Sequence, residues 1–146
     1  MSKLSLSAAG TIVDKALEKA AELGLNPMTV AVLDAGGHLV AFKRQDNSGI
    51  LRPDIAFGKA WGAVGMGVGS RGLAKRAEIA PAFYTALGSV SGGRMIPVPG
   101  GVLIRDGAGE ILGAVGISGD TSENDEACGV AGIKAAGLNA DTGATT

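Results

Sequence analysis

Apolar residues recur at Leu6, Ala9, Val13, Ala16, Leu17 and Ala20, while Asp14, Lys15, Glu18, Lys19 and Glu22 fill the positions between and after them. Steps of three and four residues put the first set on one stripe of a helix and the second on the opposite side, which predicts an amphipathic helix. Ser5 is the expected N-cap and Gly24 the expected stop, ahead of Asn26-Pro27. The period then changes. Residues 28–34 and 39–43 are short, strand-like runs split by Ala35-Gly36-Gly37-His38, a hairpin signal. Residues 102–105 and 110–118 repeat the design around Asp106-Gly107-Ala108-Gly109. Helical patterns cover 54–68, 80–87 after a polar turn around 70–76, and 121–137. The order α-ββ-α-α-ββ-α places hairpins, not single strands, between helices. It predicts an α/β (α+β) fold with an antiparallel sheet covered by helices, and disfavours a βαβ nucleotide-binding fold.

The two hairpins resemble each other. Asp34-Ala35-Gly36-Gly37-His38-Leu39-Val40 aligns with Asp106-Gly107-Ala108-Gly109-Glu110-Ile111-Leu112, matching an Asp, a Gly three residues on, and a pair of aliphatics. Either the chain carries a short internal duplication, or both turns need an Asp that accepts backbone N–H groups and a glycine free to take positive φ. In both readings His38 occupies the position of Glu110.

Composition narrows the function. A chain of 146 residues with 46% hydrophobic content fits one domain, residues 1–146, with 139–146 expected as a disordered tail. Net charge is −1 and no Lys/Arg run exceeds two, which argues against a nucleic-acid or membrane-surface partner. No run of 18 apolar residues exists, and Met1 to Gly10 lacks a signal-peptide pattern, so a cytoplasmic protein is expected. Cys128 and His38 are each the only residue of their kind. That rules out an intrachain disulfide and a zinc site built from His and Cys alone, and no metal site is predicted.

The candidate chemistry is concentrated in glycine and charge. Between Gly92 and Gly119 the chain carries Pro99-Gly100-Gly101 and Gly113-Ala114-Val115-Gly116-Ile117-Ser118-Gly119. Gly113 and Gly116 inside a strand-like run imply that a helix, a partner chain or a ligand approaches the backbone closely. Gly58, Gly62, Gly65 and Gly69 fall on one stripe of the predicted 54–68 helix and its end. Such a stripe suits close packing on the sheet or on the same helix of another subunit, or direct ligand approach, with Phe57, Trp61, Val64 and Val68 as the core side and Lys59 beside the glycines. The acidic group Asp120, Glu123, Asp125 and Glu126 reads as helix capping, with Ser122 as N-cap, or as a general base at Asp125. His38 is a solvated turn residue or a haem ligand; Met28, Met66, Met95, Cys128 and Tyr84 are other axial-ligand types. No nucleophile elbow, Walker loop or Rossmann fingerprint is present, and Gly65-Met66-Gly67-Val68-Gly69 does not follow a strand.

These residues suggest an anion site. Backbone N–H groups around Gly100, Gly101, Gly116, Ser118 and Gly119, with the positive end of the helix after Thr121, would hold the anion, and Arg44, Lys59, Arg94 or Arg105 would pair with it. An enzyme built there would use Lys59 as electrophile or proton donor and Asp125 as base, in a lyase or isomerase reaction of a small carboxylic acid. A third reading is an accessory oligomerisation protein whose glycine stripes serve subunit contacts.

In combination, Asp34-Ala35-Gly36-Gly37-His38-Leu39-Val40-Ala41-Phe42, Arg44-Gln45-Asp46-Asn47, Asp54-Ile55-Ala56, Lys59-Ala60-Trp61, Pro99-Gly100-Gly101 and the 113–119 run with Glu123, Asp125 and Glu126 resemble the GlcG/HbpS-like family of haem-binding domains. The likeness runs in order from Leu4 to Leu138. It implies a profilin-like or roadblock-like sheet of about five antiparallel strands between helices, homo-oligomers built from dimers, and haem or another small anionic ligand as partner. Some relatives accompany corrinoid adenosyltransferases and others sit in operons for small organic acids.

Overall fold

The computed structural model describes residues 3–144. Its first helix, α1 (Leu6–Glu22), starts where Ser5 Oγ accepts the Ala8 N–H at 3.0 Å, and Gly24 follows its end at φ 65°. The apolar stripe is buried at Ala9, Ile12, Val13, Ala16 and Ala20, so the helix forms for the reason its period predicts. The first hairpin is β1 (Thr29–Asp34) and β2 (Leu39–Arg44), and the second is β3 (Gly101–Arg105) and β4 (Ile111–Ser118). All pairings are antiparallel, in the order β2-β1-β4-β3-β5, with β5 (Asn139–Asp141) at one edge.

Both faces of the sheet are covered, so β1 and β4 are buried almost continuously. Val30, Val32, Val102, Ile104, Val115 and Ile117 face α1 and α5 (Ser122–Ala135), where Ile12, Cys128 and Ile133 complete one core. Leu33, Leu103 and Ala114 point the other way, onto Ala60 and Ala63 of α2 (Arg52–Met66). The expected α/β (α+β) class is borne out: the described residues form five helices and an open, five-stranded antiparallel sheet. No helix among the described residues is long and apolar enough to cross a membrane.

The glycines of the 92–119 block are explained by α2. A Cβ on Gly116 would collide with the Ala56 carbonyl and one on Gly101 with that of Lys59, so the helix backbone rests directly on the sheet. Packing that close also sets which residues line the helix face: Ala56, Ala60 and Ala63 are fully buried against the strands, while Phe57, Trp61 and Val64 fill the margin.

Three details depart from the sequence expectations. The polar turn around 70–76 is a helix, α3 (Ser70–Ile79); only Ser70, Gly72 and Leu73 are buried, too few to print an apolar period, although most of its residues are good helix formers. It runs into α4 (Pro81–Val90), whose proline occupies the first turn. Within the chain, the glycine stripe of α2 meets the segment before β3 in place of the sheet, and Gly65 is exposed. Gly58 faces Ile96 and the Arg94 carbonyl, Gly62 faces Met95, and Gly69 lies beyond the helix against Thr142. Finally, the expected tail 139–146 is structured at its start: Leu103, Ile104 and Arg105 pair with Asp141, Ala140 and Asn139 because β3 otherwise presents an open edge, and Arg105 Nε donates to Asp141 Oδ2 at 2.8 Å. Thr145 and Thr146 lie outside the described residues.

Candidate functional site

Polar groups gather at the two ends of the sheet, and the ends differ in kind. At the end formed by the start of β3 and the close of β4, Lys59 reaches from α2 past Gly100 to α5. Its Nζ donates to the Ile117 carbonyl at 2.8 Å and to Asp125 Oδ2 at 3.0 Å. Asp125 Oδ1 accepts the Asp120 N–H at 2.9 Å. The side chains are 3% and 1% exposed, so the pair is sealed. Burial pushes the Lys59 ammonium down and the Asp125 carboxyl up, each against the attraction of the other.

Around this pair the ends of β1, β2 and β4 carry hydroxyls and guanidinium groups. Arg52 Nη1 donates to Ser118 Oγ at 3.0 Å, the Thr29 and Ser48 hydroxyls lie 2.8 Å apart, and Arg44 Nη1 donates to the Ser48 carbonyl at 2.8 Å. Thr29, Ser48 and Ser118 are buried. Arg52 is a residue that sequence reasoning missed; its one signal was a cation placed immediately before Pro53 at a helix start.

Part of the expected anion cradle is taken up by the chain itself. The Gly101 N–H donates to Ser70 Oγ at 2.7 Å, and the Gly100 carbonyl accepts from Ile117. Gly116 lies beneath α2, and Gly119 packs against Pro27 and Met28. Gly100, at φ 121°, leaves room for the lysine: a Cβ there would sit 2.8 Å from Nζ. The N-cap of α5 is Thr121, not Ser122, accepting the Asn124 N–H at 3.2 Å. Asp120 accepts from the Thr121 and Asn26 backbones and from Asn124 Nδ2; the Asn124 bond first, then the two backbone bonds, hold its carboxyl below the usual range. Glu126 pairs with Arg71 at 2.9 Å. The candidate catalytic groups Lys59 and Asp125 are therefore brought together, but onto each other.

The remaining candidate cations do not converge there. Arg94 lies 4.4 Å over the Trp61 ring and donates to the Ser91 carbonyl. Arg105 is at the opposite end of the sheet, holding Asp141 and the Gly109 carbonyl. Arg44 alone shares the Lys59 end.

At the opposite end the two hairpin turns stand side by side. Asp34 Oδ1 accepts the N–H groups of Gly36 and His38 at 2.9 Å, and Asp106 Oδ1 accepts those of Ala108 and Glu110 at the same distance. The shared turn chemistry is thus sufficient to explain the likeness of the two segments. His38 Nδ1 lies 3.1 Å from Asp34 Oδ1 while its ring is 80% exposed. Burial nudges the Asp34 carboxyl upward, but the His38 and Gly36 N–H groups and the His38 ring outweigh it and hold the group low. The turns border a cavity of about 480 Å³ lined by Lys3, Leu4, His38, Glu110, Ile111 and Leu112, among others. The other axial-ligand types are less open. Met28 and Cys128 are fully buried, and burial, with Asp125 nearby, pushes the Cys128 thiol up to about 11. Met66 and Met95 line a smaller apolar cleft of about 200 Å³ between α2 and α4, and Tyr84 packs with Met95.

Known proteins are similar to this chain in sequence or in structure. A protein of the dhaT–dhaS intergenic region of Citrobacter freundii, 15.0 kDa in size, is 28% identical over 122 residues, covering 84% of each chain. The solved PduOC:heme complex superposes with a TM-score of 0.85 at 27% identity, covering 94% of this chain and 98% of that one. A double mutant of HbpS from Streptomyces reticuli gives a TM-score of 0.80 at 28% identity, over 92% and 87% of the two chains. Residues 4–134 match the model of the haem degrading proteins like HbpS, and the chain belongs to that family.

Proposed function

We propose that the chain binds haem in the cavity between the two hairpin turns, with His38 as axial ligand and Asp34 as the group that orients it. The observation that carries this reading is the His38–Asp34 contact. With Nδ1 turned to a carboxylate at 3.1 Å, Nε2 is left as the ligating nitrogen of an exposed ring, the arrangement in which a carboxylate fixes the tautomer and raises the basicity of a metal-bound imidazole. The surroundings fit the group. Leu4, Ile111 and Leu112 offer apolar surface to a macrocycle, Lys3 offers a cation to a propionate, and about 480 Å³ falls within the roughly 300–1,000 Å³ of small-molecule sites. Bound haem would supply a redox-active iron whose potential responds to this ligand and its carboxylate. The family membership and the likeness to a protein solved with haem support the same ligand. The lyase or isomerase reading draws no support from a Lys59–Asp125 pair this sealed. The assembly is a homo-oligomer built from dimers, as the family resemblance implies, working in the cytoplasm.

Haemin titration followed at the Soret band tests the site. Wild type should give a saturable shift, His38→Ala should lose it, and Asp34→Asn should weaken binding by about 10–100-fold. A saturable shift unchanged in His38→Ala overturns the assignment; one lost instead in Met66→Ala or Met95→Ala moves the site to the α2–α4 cleft.

A further inference from the structure

We infer that Glu110 sets the redox preference of the hairpin cavity, its carboxylate favouring ferric over ferrous haem; the inference rests on the haem reading above and adds a residue to it. The two hairpins place His38 and Glu110 by the same device. Each has its backbone N–H held by the aspartate Oδ1 of its own turn at 2.9 Å. Each carbonyl in return accepts the N–H of that aspartate, at 2.9 Å for His38 and 3.0 Å for Glu110. Both backbones are therefore pinned where the turn meets the next strand, and both residues line the same cavity of about 480 Å³. Because β1 and β4 are hydrogen-bonded neighbours, the cavity receives an imidazole from one hairpin and a carboxylate from the other.

The two acids on the cavity wall differ in what engages them. Asp34 Oδ1 accepts two N–H groups and lies against the His38 ring. Glu110 is exposed, and its side chain makes no hydrogen bond or ion pair among the described residues, so its charge is not committed to the fold. A cavity of this volume has a half-width of roughly 5 Å, inside the Debye length of about 8 Å at physiological ionic strength. A charge on the wall is therefore felt at the centre. An anionic oxygen stabilises iron(III) more than iron(II), because the ferric ion carries one more positive charge and is the harder acid. That preference holds whether the carboxylate touches the iron or acts across the cavity. Lys3 and Asp34, the other charged groups on the wall, stay in place when Glu110 alone is changed, so the effect of its charge can be read as a difference.

Spectroelectrochemical titration of the haemin-loaded full chain tests the assignment. Glu110→Gln should lower the ratio of ferric to ferrous affinity about tenfold, read as a midpoint potential about 59 mV higher for this one-electron couple. Glu22→Gln removes an exposed acid at the far end of α1, about 25 Å along the helix from its start beside the cavity, and should leave the potential unchanged. Redox-inert analogues give a second readout. Glu110→Gln should weaken binding of gallium(III) protoporphyrin about tenfold while zinc(II) protoporphyrin stays within about twofold of wild type. If haemin does not load wild type, or loads equally well without His38, the haem reading falls and the Glu110 assignment with it. If haemin loads through His38 but Glu110→Gln leaves the potential where Glu22→Gln does, or weakens the gallium and zinc complexes alike, the haem reading stands and the Glu110 assignment is overturned.

Discussion

Replacing Lys59 by methionine removes one charge and leaves its aliphatic stem in the slot beside Gly100. Asp125 is then a carboxylate 1% exposed, with only the Asp120 N–H to satisfy it. Removing one member of a buried pair costs about 3–5 kcal/mol, because the survivor keeps the desolvation penalty without its partner. For a chain of this length that corresponds to a drop in Tm of roughly 6–20 °C. Asp125→Asn should be comparably harmful: if the amide oxygen keeps the Asp120 contact, its NH2 faces the Lys59 ammonium, donor against donor. The double variant should be less destabilised than the sum of the two by about 2 kcal/mol or more. A pH dependence follows from the direction of the Asp125 shift. A carboxyl raised in the folded state binds more protons than the unfolded chain above the ordinary value of 3.8, so this group's contribution falls as pH rises from there through its folded value. Lys59 restrains that rise, and without it the window widens upward. The stability lost in Lys59→Met should therefore be smaller at pH 5 than at pH 7, read as urea midpoints at unchanged m. A loss below about 1 kcal/mol, additive singles, or a pH-independent loss would refute the reasoning.

Two further outcomes are expected. Gly116→Ala pushes a methyl into the Ala56 carbonyl of α2 and should cost about 2–3 kcal/mol by urea denaturation, because backbone cannot swing aside as a side chain can. Asp120→Asn should flatten the acid limb of stability. The Asp120 carboxyl is held low, so its stabilisation is complete above pH 3.8 and is lost as pH falls through the folded value; the variant should lack that loss in a pH series of melting curves.

Periodicity carried the outer architecture. The stripe from Ala9 to Ala20 and the two Asp-to-Gly turns each encode an element within a few neighbouring residues, so α1 and both hairpins stand close to where the pattern places them. What escaped the pattern depends on partners distant in sequence. Helix α3 is anchored chiefly through Ser70 and Leu73, and β5 exists because the edge of β3 is open to it, a fact no run of three residues can announce. Asp125 shows the same limit at the candidate site. Its position near a helix start made capping the economical reading, while its actual partner lies 66 residues away on the opposite side of the sheet.

That pairing also accounts for why the sheet has one closed end and one open end. α2 can lie on the strands only because Gly101 and Gly116 carry no side chain, and this contact draws Lys59 to the level of the Ile117 carbonyl. An ammonium buried there requires an anion. Asp125 supplies it from α5, so the helices on the two faces are joined around the strand ends and little room is left for an external carboxylate. The hairpin end has no such closure. Asp34 and Asp106 each turn Oδ1 onto two N–H groups of their own turns, and the imidazole of His38 projects from one of them with Nδ1 engaged by Asp34. The same turn chemistry that makes the two hairpins alike thus leaves exposed the residue in which they differ, His38 in place of Glu110, and it is this imidazole that the haem proposal takes as its ligand.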